Sequence, residues 1–354
     1  MLLLIDYGES TARTLLIFDD EKPPLLLDVP LGFSAYTEMT VTESVRFIIK
    51  AVAEKSAVEI LVENKPKIPI YIMGEVASTS LKELLAGDPF DPSVILKEYN
   101  MPLVSVGMDF CFVLGKVLRG EKVGENILEW LPFKVDPSIV DNFMANKKLF
   151  QQVLPTTPRD LSIEQAAARI ILKEAVSART DLPEEIIFSG AVFSKAPRAS
   201  QVMLMALDGL EPIGPLAVLV DKEQMVNRLA LLQKVSPEIY GRLLPQLPAM
   251  TNLGTVLGLP GGGELIFDSG LGEPQEILAA EGTLTYLPLP AGETAIVTLK
   301  RDRAKNYKVK GGEVGVIIDC RRRPISLPVS PRDRISLLKQ WDKAVNAHGQ
   351  AETI

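Results

Sequence analysis

The chain opens on an apolar run, Leu2-Leu3-Leu4-Ile5, and after a short polar turn a second run follows from Thr14 to Phe18. Both read as strands, paired as a hairpin, and residues 24–29 read as a third strand. Thr40-Val41-Thr42-Glu43 has the form of a capping box. It opens a helix to about Glu54, with apolar residues at 41, 45, 48, 49, 52 and 53 on one stripe. Ile68 to Met73 is a short apolar strand ending at Gly74, and a helix is expected near 79–86. The first third is therefore βββαβα.

Residues 87–103 are rich in Pro and Asp and read as a connection. The apolar stretch from Leu103 to Leu114 reads as a buried strand and turn, with a helix over 111–118 as the competing reading. Thr157-Pro158-Arg159-Asp160 is a helix start: a capping hydroxyl, proline at the first position and an acid in the first turn. That helix runs to about Ala178. Glu185 to Ala191 is a strand entering a glycine turn, 199–209 a helix, Leu216 to Val220 a strand and 223–233 a helix. This αβαβα pattern suits the second half of a doubly wound lobe. From about residue 250 the strands become short and Gly, Thr and Pro more frequent. Leu253–Val256, Glu264–Phe267, Gly282–Leu287, Thr294–Leu299 and Val314–Ile318 predict an antiparallel β module. A helix over about 331–346, with Trp341 on its apolar face, closes the chain. No internal repeat at fixed period is visible.

Composition narrows the function classes. The chain is 47% hydrophobic and 23% charged, a globular composition with core enough for two or three domains. A net charge of -7 argues against nucleic acid as the main partner. Cys111 and Cys320 are the only cysteines and each adjoins an apolar run, which fits a reducing cytoplasm and no disulfide framework. His348, in a polar tail, is the only histidine, so histidine triads and multi-histidine metal sites are excluded. No apolar stretch is long enough for a membrane span. The opening strand leaves little room for a targeting peptide.

Candidate chemistry concentrates in the first hairpin, Asp6-Tyr7-Gly8-Glu9-Ser10-Thr11-Ala12-Arg13-Thr14. Gly8 lets the backbone approach an anion closely. Ser10, Thr11, Thr14 and the turn amides can donate to phosphate oxygens. Asp6 can hold a Mg²⁺, usually through water, and Arg13 can neutralise phosphate charge. Glu9 opposes that electrostatics, and an ordinary Asp-x-Gly hairpin is the competing reading. Elsewhere, Gly261-Gly262-Gly263 lacks a following Lys-Ser/Thr and reads as a plain loop. Arg321-Arg322-Arg323 could bind an anion, or Asp319 could pair with one of them to fix a turn before Pro324. Glu164 and Gln165 suit capping or packing.

The hairpin resembles the first phosphate loop of the actin, sugar-kinase and heat-shock-chaperone ATPase superfamily, whose half-domain plan is also βββαβα. Later segments resemble a particular family: the L component encoded with cobalamin-dependent glutamate mutase and related carbon-skeleton mutases. Five stretches carry that likeness: Asn146 to Arg169, Ile186 to Asp208, Thr251-Asn252-Leu253-Gly254-Thr255-Val256, Gly282 to Ala295, and Asp319 to Pro328 followed by Trp341. The resemblance implies an α/β fold of actin-like ATPase (ribonuclease H-like) lobes with a C-terminal antiparallel β module, divided at 1–140, 141–248 and 249–354. It implies ATP and Mg²⁺ as ligands, Ser189, Gly190 and Ala191 as an adenosine loop, and a cobalamin-dependent mutase subunit as partner. The implied role is assembly or reactivation of that mutase. The family's second Asp-x-Gly loop is not found: Val104-Ser105-Val106-Gly107-Met108-Asp109 has its residues in another order. Either the second lobe is truncated or most of the first is missing, and the ATP clamp is incomplete. A nucleotide-free scaffold of the same fold is the alternative function, and a small-molecule kinase the third.

Overall fold

The computed structural model describes residues 1–7, 11–19, 22–31, 41–62, 65–74, 93–96, 103–106, 110–113, 116–119, 127–149, 153–176, 182–246, 250–270, 272–300 and 304–346. The helix expected at 79–86, and Gly8, Glu9 and Ser10, lie outside them. The fold is mixed α/β with several sheets. Two compact units divide the chain: residues 1–100, 149–152 and 225–248, and residues 101–148, 153–224 and 249–354. This differs from the three consecutive segments expected, because residues 225–248 return to the first unit and the C-terminal strands pair with those of 185–220.

The first unit contains β1 (Leu2–Tyr7), β2 (Thr11–Ile17), β3 (Leu25–Pro30), the two-residue strands β4 (Leu61–Val62) and β5 (Lys65–Pro66), β6 (Ile70–Gly74) and β7 (Ser93–Leu96). Its main sheet has the order β3-β2-β1-β6-β7. β1 and β2 pair antiparallel, as do β2 and β3, whereas β6 lies parallel to β1 and β7 parallel to β6. Pleating assigns the faces. Leu3, Ile5, Ala12, Leu16 and Val29 share a core with Val45, Ile48, Ile49 and Val52 of the Val41–Ser56 helix. Each of the Leu, Ile and Val side chains among them, fully buried, stabilises the unit by about 2 kcal/mol. The opposite face carries Leu4 and Leu15, both fully buried. The Val226–Val235 helix packs against β1 and β2.

The second unit begins with β8 (Leu103–Val106), β9 (Phe110–Val113) and β10 (Lys116–Arg119), so strands replace the competing helix at 111–118. β11 (Glu185–Ser189), β12 (Gly214–Val220) and β13 (Thr251–Gly258) follow, then β14 (Gly263–Asp268), β15 (Gln275–Ala279), β16 (Leu284–Leu287), β17 (Thr294–Lys300), β18 (Lys305–Lys310) and β19 (Gly315–Asp319). Its large sheet has the order β10-β9-β8-β11-β12-β13-β19-β16. The first five strands repeat the plan of the first unit: two antiparallel steps, then two parallel ones. The truncation expected for one lobe is therefore corrected, since both units contain the five-strand order. The repeat escapes sequence inspection because the insertions between equivalent strands differ in length.

The Pro158–Val176 and Ala199–Leu210 helices cover one face of the large sheet. The predicted start is observed, with the Asp160 amide donating to Thr157 Oγ1 at 3.1 Å. β13 and β19 serve two cores at once. Val256 and Ile317 point to the helices, whereas Leu257, Val316 and Ile318 pack with Leu265, Phe267, Val297 and Leu299 of a four-stranded sheet, β15-β14-β17-β18. All three pairings of that sheet are antiparallel. Of the five strands expected to form one antiparallel module, however, only β14 and β17 belong to it: β13, β16 and β19 join the large sheet, where β13 and β19 run parallel. The Asn-Leu-Gly-Thr-Val stretch is a packing device. Gly254 has φ 120°, and a Cβ there would lie 1.8 Å from Gly315 O on the paired strand β19.

Candidate functional site

In the first unit the candidate residues gather at the carboxyl end of β1. Asp6 is 1% exposed and pairs in register with Arg13, which in turn stands opposite Asp28 on β3. Directly opposed residues project to the same face, so Asp6, Arg13 and Asp28 form a charged row across the sheet. That row continues the face whose other end is the apolar pair Leu4 and Leu15. Arg13 Nε is buried without a hydrogen-bond partner. Arg228, on the helix covering this face, is 2% exposed; its Nη1 donates to Thr14 O at 3.1 Å and lies 3.8 Å from Asp28 Oδ1.

Thr14 is turned away from this row. It is paired with Ile5 and lies on the face under the Val41–Ser56 helix, where its hydroxyl donates to Leu27 O at 2.9 Å. A hydroxyl facing an apolar core satisfies itself on the nearest carbonyl, so Thr14 holds β2 to β3 and is not placed to donate to phosphate. Thr11 is the first residue of β2 and half-buried. Gly8 and Ser10 lie outside the described residues. Among the described residues no group of three or more His, Cys, Asp or Glu is arranged to hold a metal. Of the carboxylates singled out in the sequence, Asp6 is the one that could hold a Mg²⁺, provided its remaining ligands came from phosphate oxygens and water.

In the second unit the equivalent strand ends are β8, β11 and β12. Ligands of open α/β sheets bind beyond the carboxyl ends of parallel strands. Ser189 is buried there and donates through Oγ to Asp221 Oδ2 at 3.2 Å. Gly190 follows with φ 93° and caps the Ala191–Ser194 turn of helix, its carbonyl accepting from the Phe193 and Ser194 amides. The positive φ falls on Gly190, so alanine at 191 fits without strain. Register aligns the two units. Asp6 pairs with Met73, and Gly74 follows; Ser105 pairs with Ser189, and Gly190 follows. Ser105 thus occupies in β8 the position of Asp6 in β1, so a serine stands where the resemblance leads one to expect a second aspartate.

The arginine cluster at the chain's end is structural in its main part. Arg321 is 2% exposed and donates through Nε and Nη2 to Asp319 at 2.9 and 2.7 Å and through Nη1 to Asp208 at 2.7 Å. Arg323 reaches Asp319 at 2.8 Å and Arg169 reaches Asp208 at 2.7 Å. Burial works against ionisation of Asp319, and Arg321 and Arg323 outweigh it, so its pKa lies below the ordinary value. Burial likewise opposes the Arg321 charge, and Asp208 and Asp319 raise its pKa despite it. The Cys320 thiol, pushed up to about 11 by burial and by the adjacent Asp319, is an unreactive packing residue. Arg228, Asp28, Asp208 and Asp221 were not anticipated as site or network residues. The faint signal for Arg228 and Asp221 was a charge set in or directly after an apolar run.

No family model matches the sequence, and no curated protein matches it. Solved structures similar to the chain include component A of the Acidaminococcus fermentans (R)-2-hydroxyglutaryl-CoA dehydratase, at 12% identity and TM-score 0.35 over 64% of this chain and 95% of that one. The Clostridium difficile activator of 2-hydroxyisocaproyl-CoA dehydratase, with bound ADPNP, is 10% identical with TM-score 0.37, over 70% and 98%. An Aquifex aeolicus Ppx/GppA enzyme is 13% identical with TM-score 0.28, over 70% and 85%. Likenesses at this level leave the architecture to rest on the chain's own strand order. No described helix is long and apolar enough to cross a membrane.

Proposed function

We propose that this chain is an actin-like nucleotide-binding protein that assists a cobalamin-dependent mutase as an assembly or reactivation factor. The observation that supports the nucleotide reading is the repeated five-strand order, with Asp6 at one carboxyl strand end and the Gly190 turn at the other. In the first unit Asp6 would take a Mg²⁺ and Arg13 would meet phosphate charge; in the second, Ser189, Gly190 and Ala191 are the adenosine loop that the resemblance implies. Phosphoryl transfer depends on metal and donors placed around all the phosphates. With serine at the second aspartate position, binding without efficient turnover is the expected behaviour. The mutase link rests on the five sequence stretches between residues 146 and 341 and on nothing else.

A nucleotide-free scaffold is the second reading, favoured by the Thr14 hydroxyl bonded inside the sheet and by Ser105. Calorimetry with Mg·ATP on wild type and Asp6→Ala separates the two. Binding in wild type that Asp6→Ala weakens about tenfold or more supports the first. No heat of binding in wild type leaves only the scaffold. Equal binding in both proteins removes the role given to Asp6. Co-purification with the cobalamin-binding subunit tests the mutase link under either reading.

A further inference from the structure

A cleft of about 330 Å³ opens in the second unit between the Pro158–Val176, Ala199–Leu210 and Pro331–Val345 helices. It belongs to none of the strand ends considered above. Trp130 and Trp341 line it, and they are the only two tryptophans of the chain. Gln165 also lines it: this side chain is 7% exposed, and its Nε2 has no hydrogen-bond partner in the structure. A buried amide donor left unpaired costs about 1–3 kcal/mol, and here it faces a space large enough for a small molecule.

The charge around the cleft has a definite sign. The guanidiniums of the buried Arg169 and Arg321 and of the partly buried Arg323 share the two carboxylates of Asp208 and Asp319. The network therefore carries one surplus positive charge. Arg169, Asp208, Arg198, Lys339 and Asp342 all line the cleft. Asp208 is held by Arg169 on one oxygen and Arg321 on the other, and of the remaining charged lining residues Arg198 and Lys339 outnumber the single carboxylate of Asp342. The indoles are bracketed by the same cations: the Arg321 guanidinium lies 4.4 Å from the Trp341 ring and that of Arg169 lies 5.9 Å from Trp130.

We infer that this cleft is a binding site for a small organic anion, with a carboxylate received by Gln165, Arg169 and Arg198 and a flat apolar body lying against Trp130 and Trp341. The donors match acceptor oxygens, the surplus charge matches one negative charge, and the aromatic walls match a ring. The assignment is independent of the nucleotide reading, because none of these residues belongs to it.

Both tryptophans line the cleft, so intrinsic fluorescence reports on it. Phenylacetate is the probe, benzyl alcohol its neutral control and inorganic phosphate its ringless control. A saturable change with phenylacetate is expected, with Kd of about 1 mM. Gln165→Leu and Arg198→Ala should each raise that Kd about tenfold. Gln165→Leu removes a buried amide that nothing in the fold bonds and should not lower the thermal midpoint, and Arg198 is exposed, so Arg198→Ala should leave it unchanged. The inference is overturned by the absence of a saturable response to phenylacetate, or by an unchanged Kd in both variants. Benzyl alcohol binding as tightly removes the anion, and phosphate binding as tightly removes the apolar half.

Discussion

At the scale of single residues, the clearest consequences come from groups whose environments push them in opposite directions. Asp319 has a lowered pKa, so its contribution to stability is present above the ordinary aspartate value and is lost as pH falls through the lower, folded one. Glu164, buried beside Lys147 at 2.6 Å, is raised by desolvation more than Lys147 lowers it. Its contribution is full below the ordinary glutamate value and fades as pH rises through the folded one. Thermal midpoints of wild type should therefore fall as pH drops below about 4. Asp319→Asn should cost about 3 kcal/mol at neutral pH, by leaving Arg321 and Arg323 short of a counter-charge. It should also flatten the acid-side decline, and an unchanged acid slope in the variant would refute the role given to Asp319. Gly254→Ala is the companion test of backbone. With positive φ and a carbonyl where its Cβ would sit, it should destabilise by about 3 kcal/mol or more in denaturant titration. Of these residues, the Asp319–arginine pairing was legible in the sequence as one of two options. The choice between them required Asp208, more than a hundred positions away.

At the scale of elements, legibility followed locality. The Val41–Ser56 helix announced itself through its apolar stripe, and the Pro158–Val176 helix through its cap. β9 and β10 could not be separated from a helix over 111–118, because a short apolar run satisfies both periods. β15 and β18 were passed over for a different reason. They are the edges of the four-stranded sheet, and Gln275–Ala279 and Lys305–Lys310 carry the polar and lysine-rich character that guards an edge. The hairpin misled in one particular: a threonine near a phosphate-type turn reads as a donor, but its register with Ile5 puts it under a helix. Thr14→Val should accordingly leave Mg·ATP binding unchanged in calorimetry while costing about 1 kcal/mol of stability, the value of one buried hydrogen bond. Loss of binding in Thr14→Val with stability retained would restore the donor role.

At the scale of the whole molecule, no local pattern signals that residues 225–248 leave the second unit and complete the first. The Val226–Val235 helix follows β12 directly, and its neighbours in sequence suggested a continuous second lobe. Its partners are decided by long-range complementarity instead: Leu4 and Leu15 need cover on the face that the Val41–Ser56 helix does not reach, and Arg228 meets the backbone of β2 beside Asp28. A helix that covers a sheet opens with that sheet, because separating them exposes both apolar surfaces. Native-state hydrogen exchange should therefore give the amides of residues 229–235 the same opening free energy as those of β1 and β2. β11 and β12 should form a separate cooperative set. Arg228→Met keeps the apolar cover of the helix but removes its bond to Thr14 O, so it should lower protection in residues 229–235 and in β1 and β2 together, leaving β11 and β12 unchanged. Protection lost from the helix alone, or from β11 and β12 with it, would show that the helix does not belong energetically to the first unit.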